Sequence, residues 1–159
     1  MKGFDQLKKL ALKATKNKYP SVPDHALPQK KYTDKNTNGL TKAIIEWINL
    51  NGFQAERINS MGRRIDKRKK VKDVLGNEKM IGTVKWIKGT SQTGTADISA
   101  TIKGKSVKIE VKCKATGDNY QSPEQKIYQK QIEQAGGVYV IARTFQGFYE
   151  WYCEFIENE

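Results

Sequence analysis

The sequence predicts an α/β domain, from three observations. Residues 96–112 alternate apolar and polar side chains on either side of Lys103 and Gly104, a pattern typical of a β-hairpin with one apolar face. Residues 138–142 form an uninterrupted apolar run, which indicates a strand buried on both faces. Helical periodicity lies on either side of these segments. The expected order is α-β-(insertion)-β-β-α-β-α, with a mixed sheet flanked by helices.

The first 35 residues are predicted to form a basic N-terminal arm and linker, with the folded domain over residues 36–159. Apolar side chains recur at helical spacing among lysines at Phe4, Leu7, Leu10, Ala11 and Ala14. Three prolines between residues 20 and 28 then favour an extended linker. Such a helix fits a DNA-contacting or dimer-exchanging arm, or equally a terminal helix packed loosely on the domain.

The domain is predicted to begin with a helix capped by Asn38 and ended by Gly52, followed by a strand over residues 53–59. Residues 60–88 then lose periodicity and are expected to be a long insertion without regular structure, which in a compact domain is usually functional or disordered. This insertion holds the densest basic cluster of the chain, and its predicted DNA-contacting residues are Arg63, Arg64, Lys67, Arg68, Lys69 and Lys70.

The hairpin register follows from its turn. With Lys103 and Gly104 as turn residues, Ile102 pairs with Lys105 and Asp97 lies opposite Glu110, their β-carbons roughly 4.5–5.5 Å apart. A slip of one residue would move Asp97 to the apolar face, which the pattern forbids. Cys113 is expected to be a core thiol on the apolar side.

A second helix is predicted from a capping box, with Ser122 as N-cap, Pro123 at the first helical position and Gln125 completing the box. Its expected inner face is Ile127, Tyr128, Ile132 and Ala135. A closing helix is expected from the aromatic residues after residue 144.

Composition limits the class of function. The 159-residue chain carries 29 Lys and Arg against 17 Asp and Glu, a net charge of +12. A polyanion is the favoured partner, chiefly nucleic acid, with an anionic membrane surface or a merely basic soluble protein as alternatives. No apolar run is long enough to span a membrane. Two cysteines without metal-ligand spacing and no secretory signal favour a reducing, cytoplasmic compartment.

The polar end of the hairpin is the candidate catalytic centre. The carboxylates of Asp97 and Glu110 and the carbonyl of Val111 are hard oxygen ligands that suit Mg²⁺ or Mn²⁺, with substrate phosphate completing the coordination. Lys112 would orient or deprotonate the attacking water. The competing interpretation is a solvated surface with a weak ion pair, since Glu-x-Lys alone is a weak signal in a lysine-rich chain. His25 is the single histidine and lies in the linker, which argues against His-based chemistry.

These segments together resemble a known family. Gly-Thr-Ala-Asp at 94–97, Ile-Glu-Val-Lys at 109–112 and Ser-Pro-Glu-Gln at 122–125 resemble the VRR-NUC branch of the PD-(D/E)xK nucleases, and residues 134–143 are similar to the segment that follows in that family. The resemblance covers residues 36–157, with the basic insertion as its least familiar part.

The resemblance implies a restriction-endonuclease-like α-β-β-β-α-β core and a Mg²⁺-dependent endonuclease acting on DNA. It implies that Asp97 and Glu110 bind metal, that Lys112 is the catalytic lysine and that Gln125 is a further site residue. Compact members of the family resemble Holliday-junction resolvases and act as homodimers.

Two departures from the family pattern are present. Ala96 stands where the motif usually has proline, and Asn38 stands near the position of a glutamate in the first helix, since Glu46 has the wrong spacing. The second departure leaves open a non-catalytic DNA-binding module with a degenerate nuclease fold. A nuclease acting on RNA is the third hypothesis.

Overall fold

A computed structural model describes residues 2–59, 62–87, 89 and 92–158. The chain divides into two compact units. The first unit comprises residues 1–58 and 94–159, and the second comprises residues 59–93. The described part of the first unit holds four helices and a four-stranded mixed sheet, so the α/β prediction is confirmed.

The sheet has the order β1-β6-β7-β8, with β1 at Gln54–Arg57, β6 at Ile98–Ile102, β7 at Lys105–Val111 and β8 at Val138–Ala142. β1 and β7 are antiparallel to β6, and β8 is parallel to β7. Ile102 pairs with Lys105 and Ile98 with Ile109, so the predicted hairpin register is confirmed. Lys103 adopts a φ of 48° and Gly104 one of 79°, the left-handed conformations that a tight two-residue turn requires.

Helix α2 (Thr37–Leu50) packs on the apolar face of the hairpin. Its buried residues include Leu40, Ile44 and Ile48, as the helical spacing predicts. The predicted N-cap, Asn38, is wrong by two positions. The cap is Asn36, whose side chain accepts a 2.7 Å hydrogen bond from the N–H of Gly39, because only this residue has the extended backbone that a cap needs.

Helix α1 (Lys2–Lys18) packs into the core of the first unit, which includes residues 1–58 without a boundary at residue 36. Of the two alternatives that the sequence left open for this segment, the structure is consistent with a terminal helix packed on the domain. Leu7 is fully buried, and the ring of Phe4 stacks on Phe145 at 4.6 Å. The linker is also held in place. The carboxylate of Asp34 accepts from the N–H of Phe145, and its carbonyl accepts from the thiol of Cys113, which is buried as predicted.

Helix α3 (Pro123–Gln134) and helix α4 (Phe145–Asn158) follow the predicted order. α4 buries Phe145, Phe148 and Tyr152 against the core. The apolar face predicted for α3 is not a buried one, because this helix packs mainly beside the edge strand β8. Ile127 is 57% exposed, and β8 itself buries only Val140 and Ala142.

The second unit is a two-stranded antiparallel ribbon, so the expectation of a structureless insertion is wrong. Its first arm contains β2 (Arg63–Asp66) and β3 (Lys69–Lys72), and its second contains β4 (Glu78–Ile81) and β5 (Val84–Ile87). β2 pairs with β5 and β3 with β4 in one continuous register. Both faces of this ribbon lie largely in solvent, so pairing demands no apolar alternation and periodicity does not reveal the strands.

The turn of the ribbon is closed by Asp73. Its carboxylate accepts from the backbone N–H groups of Asn77 and Leu75, which lowers the pKa of this partly buried carboxyl. None of the described helices combines the length and the apolar character needed to cross a membrane.

Candidate active site

The site forms where the hairpin opens, one residue beyond the last pair of the β6–β7 ladder. The ladder ends at Ile98 and Ile109, and Asp97 precedes it. The Asp97 carboxylate accepts a 2.9 Å hydrogen bond from the N–H of Val111, and its carbonyl accepts one of 2.8 Å from Ile58. The first bond holds Asp97 to the Glu110 segment across the hairpin, in agreement with the predicted register, and the second holds it to the residue after β1.

Glu110 is the most buried acid of the site, with 3% of its surface exposed. Side chains along a strand alternate between its two faces. Ile109 and Val111 point to the core, so Glu110 between them points to the opposite face of β7. Burial, and after it the charge of Asp97, raises the pKa of Glu110 to about 7. Oε2 of Glu110 is buried and has no hydrogen-bond partner among the residues that the structure describes. A buried carboxylate oxygen without a donor is costly unless a cation meets it.

Lys112 supplies the positive charge beside this carboxylate. The residue is 7% exposed, and its Nζ lies 3.5 Å from Oε1 of Glu110 and 3.1 Å from Oδ1 of Asp118. Its backbone N–H donates to the carbonyl of Ala142, so β8 fixes the position of the chain here. The structure thus brings together Asp97, Glu110 and Lys112, the three residues predicted for catalysis.

Asp118 is a site residue that sequence reasoning missed. It lies in the loop between β7 and α3, where no periodicity assigns a direction to its side chain. Arg143 holds this loop in place, because its guanidinium donates a 2.7 Å hydrogen bond to the carbonyl of Asn119. The available signal was an acid six residues after Lys112 and ahead of the capping box, which is a weak one.

Gln125 has both of the roles that the sequence left open. Its side-chain carbonyl accepts from the N–H of Ser122 at 2.9 Å, and its own N–H donates to the Ser122 hydroxyl, so the predicted capping box is present. Its side-chain amide also donates to Oε1 of Glu110. The first turn of α3 is therefore hydrogen-bonded directly to the buried carboxylate.

Gly94 allows α3 to approach the strand that carries Asp97. Its φ is +83°, and a β-carbon at this position would lie 2.5 Å from the backbone carbonyl of Glu124. Any side chain would displace the first helical turn, including the Gln125 that follows. Glycine is needed here for both the backbone conformation and the space.

Asn38 lies in the first turn of α2, where the resemblance leads one to expect an acid. Its Oδ1 accepts a 2.9 Å hydrogen bond from the guanidinium of Arg57, the last residue of β1. Arg57 pairs with Ile98, the residue after Asp97. Glu46, farther along α2, instead forms an ion pair with Lys30. Asn38 is therefore the residue of α2 joined to this end of the sheet.

The oxygen donors suit a hard divalent cation, although no group of three or more His, Cys, Asp or Glu side chains with metal-site geometry occurs among the described residues. Mg²⁺ commonly takes one or two protein carboxylates and completes its shell with water and substrate phosphate. The carboxylates of Asp97 and Glu110 and the carbonyl of Val111 fit that pattern, and the unpartnered Oε2 of Glu110 is the atom that most needs a cation.

The six residues predicted to contact DNA all lie on the ribbon and are exposed: Arg63, Arg64, Lys67, Arg68, Lys69 and Lys70. Comparison of the chain with known protein families, with curated proteins and with solved structures found no match. The functional argument therefore depends on the residues of this chain.

Proposed function

We propose that this chain is a metal-dependent endodeoxyribonuclease that hydrolyses phosphodiester bonds in DNA, preferentially in branched or junction structures. The observation that carries the proposal is the buried Glu110 carboxylate, which has one oxygen without a partner and lies beside both Lys112 and Asp97. A buried acid with a raised pKa, lying beside other ionisable groups, is a frequent mark of an active site. Most buried side-chain oxygens in folded proteins have a hydrogen-bond partner, so an unsatisfied carboxylate oxygen beside a lysine favours a site that binds a cation.

In this proposal Asp97, Glu110 and the carbonyl of Val111 hold Mg²⁺ or Mn²⁺. When bound, the metal lowers the pKa of the attacking water and polarises the phosphoryl group. Lys112 orients that water and offsets charge on the scissile phosphate, while Gln125 and Asp118 keep Glu110 and Lys112 in position. The water oxygen forms a new bond to phosphorus and the bridging P–O bond breaks. The proton that the water gives up passes to solvent, and the leaving oxygen takes one up from solvent, so that one water is consumed for each bond cut.

The wider proposal includes a restriction-endonuclease-like core, membership of the VRR-NUC family and a homodimer that cuts two strands. The order of the core strands and helices and the four sequence segments that resemble the family support it. The net charge of +12 supports a polyanionic substrate.

The experiment is cleavage of labelled four-way junction, flap, duplex and single-stranded DNA with Mg²⁺, Mn²⁺ or EDTA. Wild type is compared with Glu110→Gln and with Glu150→Gln, the same change at an exposed residue of α4. We expect metal-dependent cutting, fastest on branched DNA, that Glu110→Gln abolishes and Glu150→Gln leaves intact. Equal cutting by all three proteins would contradict the proposal.

A second candidate is a DNA-binding module without catalysis. The observation that favours it is Asn38, an amide where the family resemblance implies an acid, already engaged by Arg57. Tight binding of every substrate without cutting at any metal concentration would favour this candidate. In that case Asn38→Glu is the variant to test for gained activity. Competition between DNA and RNA of the same sequence tests the RNA alternative.

A further inference from the structure

The ribbon (residues 63–87) has two faces that the register separates. The two ladders share one register: Arg63 pairs with Ile87 in the first and Lys72 with Glu78 in the second, and the two residue numbers of a pair have the same sum throughout. The N–H of Lys67 donates to the carbonyl of Thr83 between the two ladders, so the register continues across the gap. Alternation then places odd-numbered residues on one face and even-numbered residues on the other. We call these the odd face and the even face.

The odd face carries positive charge without any acid in its paired strands. Each of its five cross-strand pairs contains one cation and one uncharged residue: Arg63–Ile87, Ile65–Lys85, Lys67–Thr83, Lys69–Ile81 and Val71–Lys79. Like charges therefore never face each other directly, an arrangement that avoids repulsion within the ladder. Among the described residues, Arg63, Lys67, Lys69 and Lys85 form no ion pair.

The even face carries two acids against four cations, so its charge is half neutralised within the ribbon. Asp66 lies 2.6 Å from the guanidinium of Arg68 and 3.6 Å from that of Arg64. Glu78 lies 2.9 Å from Nζ of Lys70. Three of the six residues predicted from the sequence to contact DNA thus have a carboxylate partner within the ribbon. The sequence cluster therefore divides into three cations with a carboxylate partner and three without one. Lys85 of the second arm joins the unpaired group, whereas Lys79 lies 3.8 Å from the carboxylate of Asp73 in the turn.

The dimensions of the odd face match those of a DNA duplex. Each arm is ten residues long, eight of them paired in the two ladders, which gives a length of roughly 33 Å, about one turn of B-DNA. Successive cross-strand pairs on one face are about 6.8 Å apart, which is about two base-pair rises along the duplex axis. A two-stranded ribbon is also narrow enough for the major groove. The chain resumes the first unit at Gly94, three residues before Asp97.

We propose that the odd face of the ribbon binds the sugar-phosphate backbone of double-helical DNA, so that the substrate must carry a duplex arm of about one turn. This inference rests on the proposed function, because it assigns the substrate-binding surface of that nuclease. Charge complementarity identifies the partner: residues 62–87 carry nine Lys or Arg and three Asp or Glu, half of the net charge of the chain. The contacts are to phosphate and position the duplex without reading its sequence.

The test compares two triple variants that remove equal charge from opposite faces. One is Lys67→Gln with Lys69→Gln and Lys85→Gln on the odd face. The other is Arg64→Gln with Arg68→Gln and Lys70→Gln on the even face. Binding to a labelled 20-base-pair duplex is measured by fluorescence anisotropy in EDTA, over a range of salt concentrations. Circular dichroism melts check that both variants fold, as expected for exposed side chains.

We expect the odd-face variant to lose affinity on the order of 100-fold near 0.1 M salt, with a salt slope smaller by about 3. The even-face variant should lose less than about fivefold, because its cations are already paired. Equal losses from the two faces would overturn the inference. So would wild-type binding of single-stranded DNA, duplex RNA or anionic vesicles as tight as binding of duplex DNA.

Cleavage separates this inference from the proposed function. The protein could lose duplex binding only in the odd-face variant and yet never cut DNA. That result would support the binding surface and contradict the proposed nuclease activity. Metal-dependent cutting of duplex or junction DNA that both triple variants perform equally well would leave the nuclease standing and overturn the odd-face assignment.

Discussion

The side-chain amide of Gln125 donates to the buried carboxylate of Glu110 while the carbonyl of the same side chain caps helix α3 through Ser122. One residue therefore joins the start of a helix to the candidate metal-binding carboxylate. The position of Glu110 depends on the formation of the cap, and the approach of the helix depends on Gly94.

The two roles of Gln125 can be separated with Ser122→Ala and Gln125→Ala. Ser122→Ala removes the cap acceptor but keeps the Gln125–Glu110 bond, so we expect a loss of about 0.5–2 kcal/mol in the free energy of unfolding and near-normal cleavage. Gln125→Ala also frees Oε1 of Glu110, and we expect cleavage to fall by about 10–100-fold. Urea unfolding and single-turnover cleavage measure the two effects. Equal cleavage by both variants would show that Gln125 serves only the helix.

Glu110 should make the metal-free protein less stable as the pH rises. Its pKa is about 7 in the folded state against an ordinary value of 4.5, so between these values the folded state binds more protons than the unfolded state. Stability from this group is therefore present at low pH, falls as the pH rises towards 7 and then levels off.

Glu110→Gln cannot titrate and removes this contribution. From pH 5 to pH 8 in EDTA, we expect wild type to lose roughly 3 kcal/mol of unfolding free energy relative to Glu110→Gln. Denaturant unfolding of both proteins at several pH values gives the difference, and titrating groups that do not interact with Glu110 cancel in it. Parallel pH profiles would mean that the Glu110 carboxyl is hydrated in the folded protein.

Gly94 and Gly104 form a matched pair for testing the packing of α3. Both have a positive φ, +83° and +79°, so alanine strains the backbone at either position, by roughly 1–2 kcal/mol. Only at Gly94 would the added β-carbon meet Glu124, since nothing lies within 4 Å of one at Gly104. We expect Gly104→Ala to cleave normally and Gly94→Ala to lose both further stability and cleavage. Normal cleavage by Gly94→Ala would argue against the role of α3 in the site.

The hairpin and the capping box could be predicted because each is local. The turn at Lys103 and Gly104 fixes the register, one apolar face excludes a slip, and the acids of the site follow from their places in that register. The capping role of Gln125 can be predicted in the same way, because it lies three residues after Ser122. Structural features that depend on residues a few positions apart can be predicted directly from the sequence.

The remaining features depend on distant partners. The ribbon has two exposed faces, so its strands leave no periodic trace, and its ion pairs with Asp66 and Glu78 become visible only with the register known. Asp118 reaches Lys112 from a loop whose path is set by Arg143. The N-terminal helix would show the same periodicity of apolar residues whether it packed on the domain or extended into solvent. The aromatic surface of α4 is what holds it on the domain.

Leu7 tests whether the first helix belongs to the core. It is fully buried against α2 and α4, whereas Leu75, in the ribbon turn, is 83% exposed. Leu7→Ala should cost about 2–5 kcal/mol in the free energy of unfolding, through lost apolar burial and the cavity left behind, and Leu75→Ala should cost less than about 0.5 kcal/mol. Urea unfolding of both variants in one cooperative transition measures the contrast. An unchanged midpoint for Leu7→Ala would mean that residues 2–18 are a detachable arm in solution. A large loss would mean that truncating this helix removes part of the core that supports the hairpin.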